Sequence, residues 1–263
     1  MATTRIQAVL FDMGGTLEEL YYDDAVRLEA ARGLQALLRS RELDPGLSVP
    51  ELKATILQGM AVYQTWREET EIELPPERIW TEYILPDHGL PRGQLAGAAE
   101  ELAFFYETHF YARSLRPEVP DTLEALRKEG YHLGVISNIT SRRIVPSVLE
   151  AYRLTHLLYP VLASTEFGRR KPNAGIFLEA ARLLGLPPAS CAYVGDTVSR
   201  DVIGAHRAGY GLAIQIRSFL TEKADGAESG PVADSAFLPD AVISDLTQVL
   251  DLVGAAVEES RAC

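Results

Sequence analysis

Three aspartates carry the chemistry this sequence most readily suggests. Asp12 stands in Phe11-Asp12-Met13-Gly14-Gly15-Thr16-Leu17, and Asp196 and Asp201 stand in Gly195-Asp196-Thr197-Val198-Ser199-Arg200-Asp201. Each cluster follows a short apolar run, Ala8-Val9-Leu10-Phe11 or Ala192-Tyr193-Val194, that reads as a buried strand. In open parallel sheets the ligand crevice lies at the ends of such strands. Carboxylates converging there beside small, glycine-rich turns suit a divalent cation with a preference for oxygen ligands, such as Mg²⁺, together with a phosphate. A carboxylate can also attack phosphorus once a cation neutralises the incoming group. Gly14 and Gly15 would let backbone N–H groups approach phosphate oxygens closely.

Two further segments join this set. Ser137-Asn138 ends the run Leu133-Gly134-Val135-Ile136, where small polar residues can donate hydrogen bonds to phosphate. Lys171, in Arg169-Arg170-Lys171-Pro172-Asn173, is one of four lysines and can deliver a point charge to a phosphoryl group. Each residue taken singly also has a plain structural job. Asp12 suits a turn, Ser137 or Thr140 a helix start, and Asp201 the cap of the helix that Gly209 ends.

The elements that must position these residues are legible as an alternation. Short apolar runs at Leu133–Ile136, Leu157–Leu162, Ala192–Val194, Leu212–Ile216 and Ala241–Ile243 alternate with helical patterns. Pro120-Asp121 opens a helix that Gly130 closes, and Asn173 caps one carrying Ile176, Phe177, Ala180, Ala181 and Leu184 up to Gly185. This predicts an α/β fold, a doubly wound parallel sheet covered on both faces. Between about Tyr21 and Arg116 the texture is helical, over Val26–Leu38, Glu51–Trp66, Pro76–Leu85 and Gln94–Phe110, and no β run stands out. The expected organisation is a core of residues 1–20 and 117–263 with a helical insert over 21–116. Its aromatic residues would form the insert's own core, with a few lining a pocket that faces the sheet. Lys223–Pro239 reads as a surface loop.

Composition narrows the partners. The 263-residue chain is 47% hydrophobic and carries a formal charge of −12, which argues against a nucleic-acid backbone as partner. No apolar run approaches membrane-spanning length. Its two cysteines, Cys191 in an apolar run and Cys263 at the last position, suggest neither a disulfide framework nor a metal knuckle, and a reducing cytoplasm fits best. A monomer or a homodimer is equally compatible with the sequence.

Taken in order, the motifs around Asp12, Ser137, Lys171 and Asp196/Asp201 resemble those of the haloacid dehalogenase superfamily, across essentially the whole chain. The resemblance implies a Rossmann-like core with a helical cap inserted after the first motif, and a small phosphorylated metabolite as substrate. It also implies Asp12 as nucleophile and Lys171 as its restraint. Gly15, Thr16, Ser137, Asn138 and Lys171 would bind the phosphoryl group. Mg²⁺ would be held by Asp12, the backbone carbonyl of Gly14, Asp196 and Asp201. The cap would open and close about Leu20–Asp24 and Ser114–Pro120.

The departure is Gly14, where the family's phosphatases usually carry an acid/base aspartate. General acid–base catalysis contributes about 10²–10⁴-fold, so activity should be weak toward poor leaving groups unless Glu18, Glu19, His88 or His109 substitutes. Two other readings follow from the same gap. One is carbon–phosphorus cleavage of the phosphonoacetaldehyde-hydrolase type, with Lys53 forming a Schiff base. The other is a phosphate- or metabolite-binding protein on an enzyme scaffold.

Overall fold

The computed structural model describes residues 5–86, 88–219 and 238–261. Six parallel strands form the sheet: β1 (Ala8–Phe11), β4 (His132–Ser137), β5 (Val161–Ala163), β6 (Cys191–Gly195), β7 (Leu212–Ile216) and β8 (Ala241–Ile243), in the order β5-β4-β1-β6-β7-β8. Strand alternation sends successive side chains to opposite faces. Val9, Phe11, Val135, Ala192 and Val194 therefore join one hydrophobic core. Their neighbours Ala8, Leu10, Ile136, Cys191 and Tyr193 join the core on the other face. Helices cover both faces, among them α5 (Val119–Lys128), α6 (Ile144–Ala151), α8 (Ala174–Leu184), α9 (Ile203–Arg207) and α10 (Gln248–Arg261), with the short α7 (Ser164–Phe167) after β5. This is the predicted doubly wound α/β architecture. Because β4 lies on one side of β1 and β6 on the other, the switch in strand order falls at the carboxyl end of β1, beside Asp12.

The segment between the first strand and α5 is helical, as its spacing predicts. Helices α1 (Asp24–Ser40), α2 (Val49–Thr70) and α4 (Arg92–His109) pack with α3 (Pro76–Ile79), which runs on as a wider turn over Trp80–Ile84. Asp23 caps α1 by accepting from Val26 N, and Ser48 with Glu51 forms a capping box at α2. The insert has its own hydrophobic core, built on Ala31, Leu34, Leu52, Ile56, Trp80 and Leu102. Gly59 of α2 lets the wide turn come close, since a Cβ there would lie 2.5 Å from the Tyr83 carbonyl oxygen.

Two expectations are corrected. A two-stranded antiparallel ribbon, β2 (Glu18–Tyr21) with β3 (Ala112–Leu115), joins the insert to the sheet unit where no β run was expected near either boundary. Its strands are four residues long with at most one buried face, too short for periodicity to stand out. The presumed hinge stretches at Leu20–Asp24 and Ser114–Pro120 thus include residues paired across this ribbon, Leu20 with Arg113 and Glu19 with Ser114. Along Leu157–Leu162, only Val161 and Leu162 join strand β5; Tyr159 N still donates to Leu133 O, but Pro160 has no N–H to extend the ladder. The predicted loop at Lys223–Pro239 lies almost wholly outside the described residues, as does Cys263. Cys191 is a buried core residue.

The ribbon is pinned by a buried ion pair. Arg113 Nε donates to Glu18 Oε1 at 3.2 Å and Nη2 to Oε2 at 2.5 Å, while the Tyr152 hydroxyl donates to Oε1 at 2.9 Å. Glu18 is fully buried. Removing one partner of such a pair typically costs about 3–5 kcal/mol, because it strands the other charge. Arg113→Met should therefore lose about that much stability in urea unfolding, and Glu18→Gln combined with Arg113→Met should lose less than the sum of the single changes.

Candidate active site

The carboxyl ends of β1, β4 and β6 bring the sequence-predicted residues together. Lys171 Nζ lies 2.8 Å from Asp12 Oδ1, 2.6 Å from Asp201 Oδ1 and 2.8 Å from the Tyr193 hydroxyl. One carboxylate oxygen from each of Asp12, Asp196 and Asp201 falls within 4.8 Å of the others. All four side chains are nearly or fully withdrawn from solvent. Asp12, Gly14, Ser137, Asn138 and Lys171 line one cavity of about 650 Å³, which the sheet's strand ends share with α2, α4 and the ribbon.

Local structure explains how each group is held. Asp201 lies in the wide helical turn Val198–Val202, where its Oδ2 accepts from Thr197 N at 3.0 Å and Thr197 Oγ1 at 2.7 Å. It is thus a charge partner of Lys171 rather than a simple helix cap. Asp196 Oδ2 accepts from Ser218 Oγ at 2.7 Å, and Gln215 Nε2 donates to the Asp196 carbonyl. Gly15 has φ +88°, and a Cβ there would lie 2.3 Å from Asp196 Oδ2, so only glycine lets the first motif turn so close to the third carboxylate. Asn138 Nδ2 donates to the Lys171 carbonyl and its Oδ1 accepts from Lys171 N, which fixes the backbone that carries the ammonium.

The electrostatics follow from crowding three carboxylates in a buried site. Burial, with the charges of Asp201 and Asp12, pushes Asp196 up to about 7. Burial also raises Asp12, although Lys171 opposes it. For Asp201 burial is outweighed by the Lys171 and Arg200 charges and the hydrogen bonds from Lys171 and Thr197, and its carboxyl falls below the ordinary range. A hard divalent cation suits this donor set, since it would relieve the repulsion that keeps Asp196 protonated.

Several expected groups are placed differently. The Gly15 N–H donates to the Glu18 carbonyl at 2.8 Å and Thr16 is fully buried, so neither lines the cavity; their backbone closes the turn instead of cradling a ligand. The Asn138 amide fastens Lys171 with its Oδ1 and one N–H, which leaves one Nδ2 hydrogen at the cavity wall. Lys53 does not line the cavity and pairs with Asp24 on α1, which removes the amine that a Schiff base would need. None of the suggested acid/base substitutes lines the cavity either. Glu18 is committed to Arg113, Glu19 is exposed on the opposite face of β2, and His109 stacks on Phe105 at 3.9 Å. A Cβ on Gly14 would meet Leu20 Cδ1 at 2.8 Å and lie 3.8 Å from Arg113 Nη2.

Sequence reasoning missed Thr197, Ser218, Tyr193 and Arg200. Ser218 had a signal, since it follows the apolar run Leu212–Ile216 as Asp12 follows β1. Tyr22, Tyr106 and Tyr111 are insert aromatics that line the cavity, as expected of a few of them, but the insert's charged residues there, Arg27, Arg67, Glu68 and Glu107, escaped that reasoning; Glu107 accepts from Thr140 N and Oγ1.

The chain is similar to known proteins in sequence and in fold. A family model described as haloacid dehalogenase-like hydrolase matches residues 6–209. The chain is 33% identical to a glyceraldehyde 3-phosphate phosphatase of Methanopyrus kandleri over 214 residues, 81% of this chain and 84% of that one. It is 28% identical to a phosphoglycolate phosphatase of Vibrio vulnificus over 96% of this chain and 98% of the other. Among solved structures, a 2-haloacid dehalogenase from Pseudomonas syringae shares the fold with a TM-score of 0.64 at 24% identity, over 95% of this chain and 99% of that one. Among the described residues no helix is long and apolar enough to cross a membrane.

Asp196 supplies a pH test. Its folded value near 7 exceeds the ordinary 3.8, so the folded protein binds this proton more tightly than the unfolded chain. The group is neutral in its effect below about pH 4 and destabilises increasingly as pH rises to about 7. In chelator, Asp196→Asn should therefore melt above wild type at pH 8 by a margin that shrinks at pH 5.

Proposed function

Because this chain belongs to the haloacid dehalogenase-like hydrolases, and its relatives make it a phosphatase-like member, we propose that it hydrolyses a small phosphorylated metabolite through a covalent phosphoryl–Asp12 intermediate. The observation that carries this reading is the Asp12–Lys171 contact of 2.8 Å at the cavity wall, with two further carboxylates within reach of one cation. Asp12, Asp196 and Asp201, with the Gly14 carbonyl, would hold Mg²⁺, which when bound neutralises the approaching phosphate and withdraws charge from phosphorus.

Lys171 opposes the rise that burial imposes on Asp12 and aims its carboxylate, and with Ser137 it would receive the phosphoryl oxygens. An Asp12 oxygen attacks phosphorus, the bond from phosphorus to the leaving oxygen breaks, and the electron pair departs with the leaving group. Water then attacks the same phosphorus, releasing inorganic phosphate and returning the carboxylate. With glycine at position 14, the leaving oxygen and the attacking water lack the usual proton donor and acceptor on the first motif. Acyl and aryl phosphates, whose leaving groups need little protonation, should therefore turn over faster than alkyl phosphates.

The test is hydrolysis of p-nitrophenyl phosphate and acetyl phosphate with and without Mg²⁺. Wild type should turn over both in a metal-dependent way, and Asp12→Asn should fall to background; residual Asp12→Asn activity would contradict the role. Binding without turnover would instead support the metabolite-binding reading. Gly14→Asp should raise kcat on an alkyl phosphate by as much as about 10²-fold once Leu20 gives way, with little change on acetyl phosphate, whereas Gly14→Asn should give no gain.

A further inference from the structure

Most cations around the cavity have a carboxylate partner. Lys171 is neutralised by Asp12 and Asp201, and Arg113 by Glu18 with Glu107 nearby. Arg200 donates to Thr197 Oγ1 and lies in the field of Asp196, Asp201, Asp12 and Glu68. Arg67 has Glu73 at 3.7 Å, a carboxylate that Arg170 holds more closely at 2.9 Å, and the Arg67 Nε is itself buried without a partner. Arg27, in the first turns of α1, differs in having no carboxylate partner: its side chain makes no ion pair and no hydrogen bond among the described residues, and its Nε too is buried without a partner. The guanidinium is held in place by aromatic faces, 3.8 Å from the Tyr22 ring centroid and 5.9 Å from that of Tyr111, and these two rings meet edge to face at 5.5 Å. Tyr22, Arg27 and Tyr111 line the same cavity as Asp12.

A cation oriented by two tyrosine rings, with unused donors and no carboxylate of its own, is a preformed receptor for a planar anion. An arginine with no carboxylate partner of its own matches a monoanion better than a second phosphate dianion. We propose that Arg27, steadied by Tyr22 and Tyr111, binds a carboxylate of the substrate, so that this enzyme acts on phosphate esters of small hydroxy acids. The inference rests on the phosphohydrolase reading of the same cavity and names the substrate class that reading leaves open. It separates the two activities named for the relatives, because phosphoglycolate carries a carboxylate and glyceraldehyde 3-phosphate does not.

The experiment compares 2-phosphoglycolate and 3-phosphoglycerate, each with its uncharged amide, in wild type and Arg27→Gln. Thermal melting of each variant reports that the fold is retained. Wild type should favour at least one acid over its amide in kcat/KM. Arg27→Gln should reduce that ratio about 10- to 100-fold, chiefly through KM, as expected for loss of a charged hydrogen-bonded contact. Calorimetric titration of the same four compounds into Asp12→Asn, with and without Arg27→Gln, reads binding directly and needs no turnover. A ratio that Arg27→Gln leaves unchanged, equal affinity for acid and amide, or absence of binding by any of the four overturns the carboxylate subsite. If amides and acids are hydrolysed alike, the phosphohydrolase reading stands while the subsite falls. If p-nitrophenyl phosphate and acetyl phosphate are not turned over either, that reading fails, and the titrations decide the subsite independently.

Discussion

A single ammonium, Lys171 Nζ, sits between two carboxylates and a tyrosine hydroxyl in a site almost without solvent, and the rest of the structure depends on that contact. Three buried carboxylates within 4.8 Å repel one another, and isolated charges cannot remain ionised out of water. The ammonium brings Asp201 below the ordinary range and opposes the rise of Asp12, while Asp196, which it does not touch, is pushed up to about 7 by burial and its neighbours' charges. Much of the local construction serves this arrangement. Asn138 fastens the Lys171 backbone from the end of β4, Thr197 holds Asp201 from the turn after β6, and the Tyr193 hydroxyl, itself donating to the Ile136 carbonyl, anchors the ammonium from below. Sheet topology brings these strand ends together, and side-chain charge decides how closely they can approach.

The ribbon that joins the insert to the sheet works by the same rule of paired burial. Glu18 and Arg113 tie β2 to β3, and Tyr152 from the sheet unit completes the carboxylate's hydrogen bonds. The absent side chain at Gly14 belongs to this arrangement as well. Leu20 and Arg113 stand where a side chain at that position would project, so the ribbon fills space that an acid/base residue would otherwise occupy. Under the proposed function, the missing proton shuttle and the close seating of the ribbon are two descriptions of one packing choice.

The sheet and the carboxylate cluster were legible because each of Asp12, Ser137 and Asp196 directly follows an apolar run, and strand ends in a parallel sheet share one rim. Lys171 was legible from its place before Pro172 and from the scarcity of lysine. Gly15 and Thr16 misled, since a glycine-rich turn looks the same in sequence whether its N–H groups face a ligand or close on Glu18. The ribbon escaped because four-residue strands such as Ala-Arg-Ser-Leu carry too little pattern. Arg27 escaped for another reason: in a helical insert, which charged residue lacks a partner is fixed by packing between helices and has no local signature.

The most direct test of the account is to quench the protein during turnover of acetyl phosphate, reduce it with borohydride and map the modified peptide by mass spectrometry. A phosphoryl group on Asp12 would be reduced to homoserine at position 12 alone, in a Mg²⁺-dependent way, and the product should be absent in Asp12→Asn. Steady turnover with Asp12 unmodified, or reduction at another carboxylate, would contradict the central claim that this buried, lysine-paired aspartate is the nucleophile.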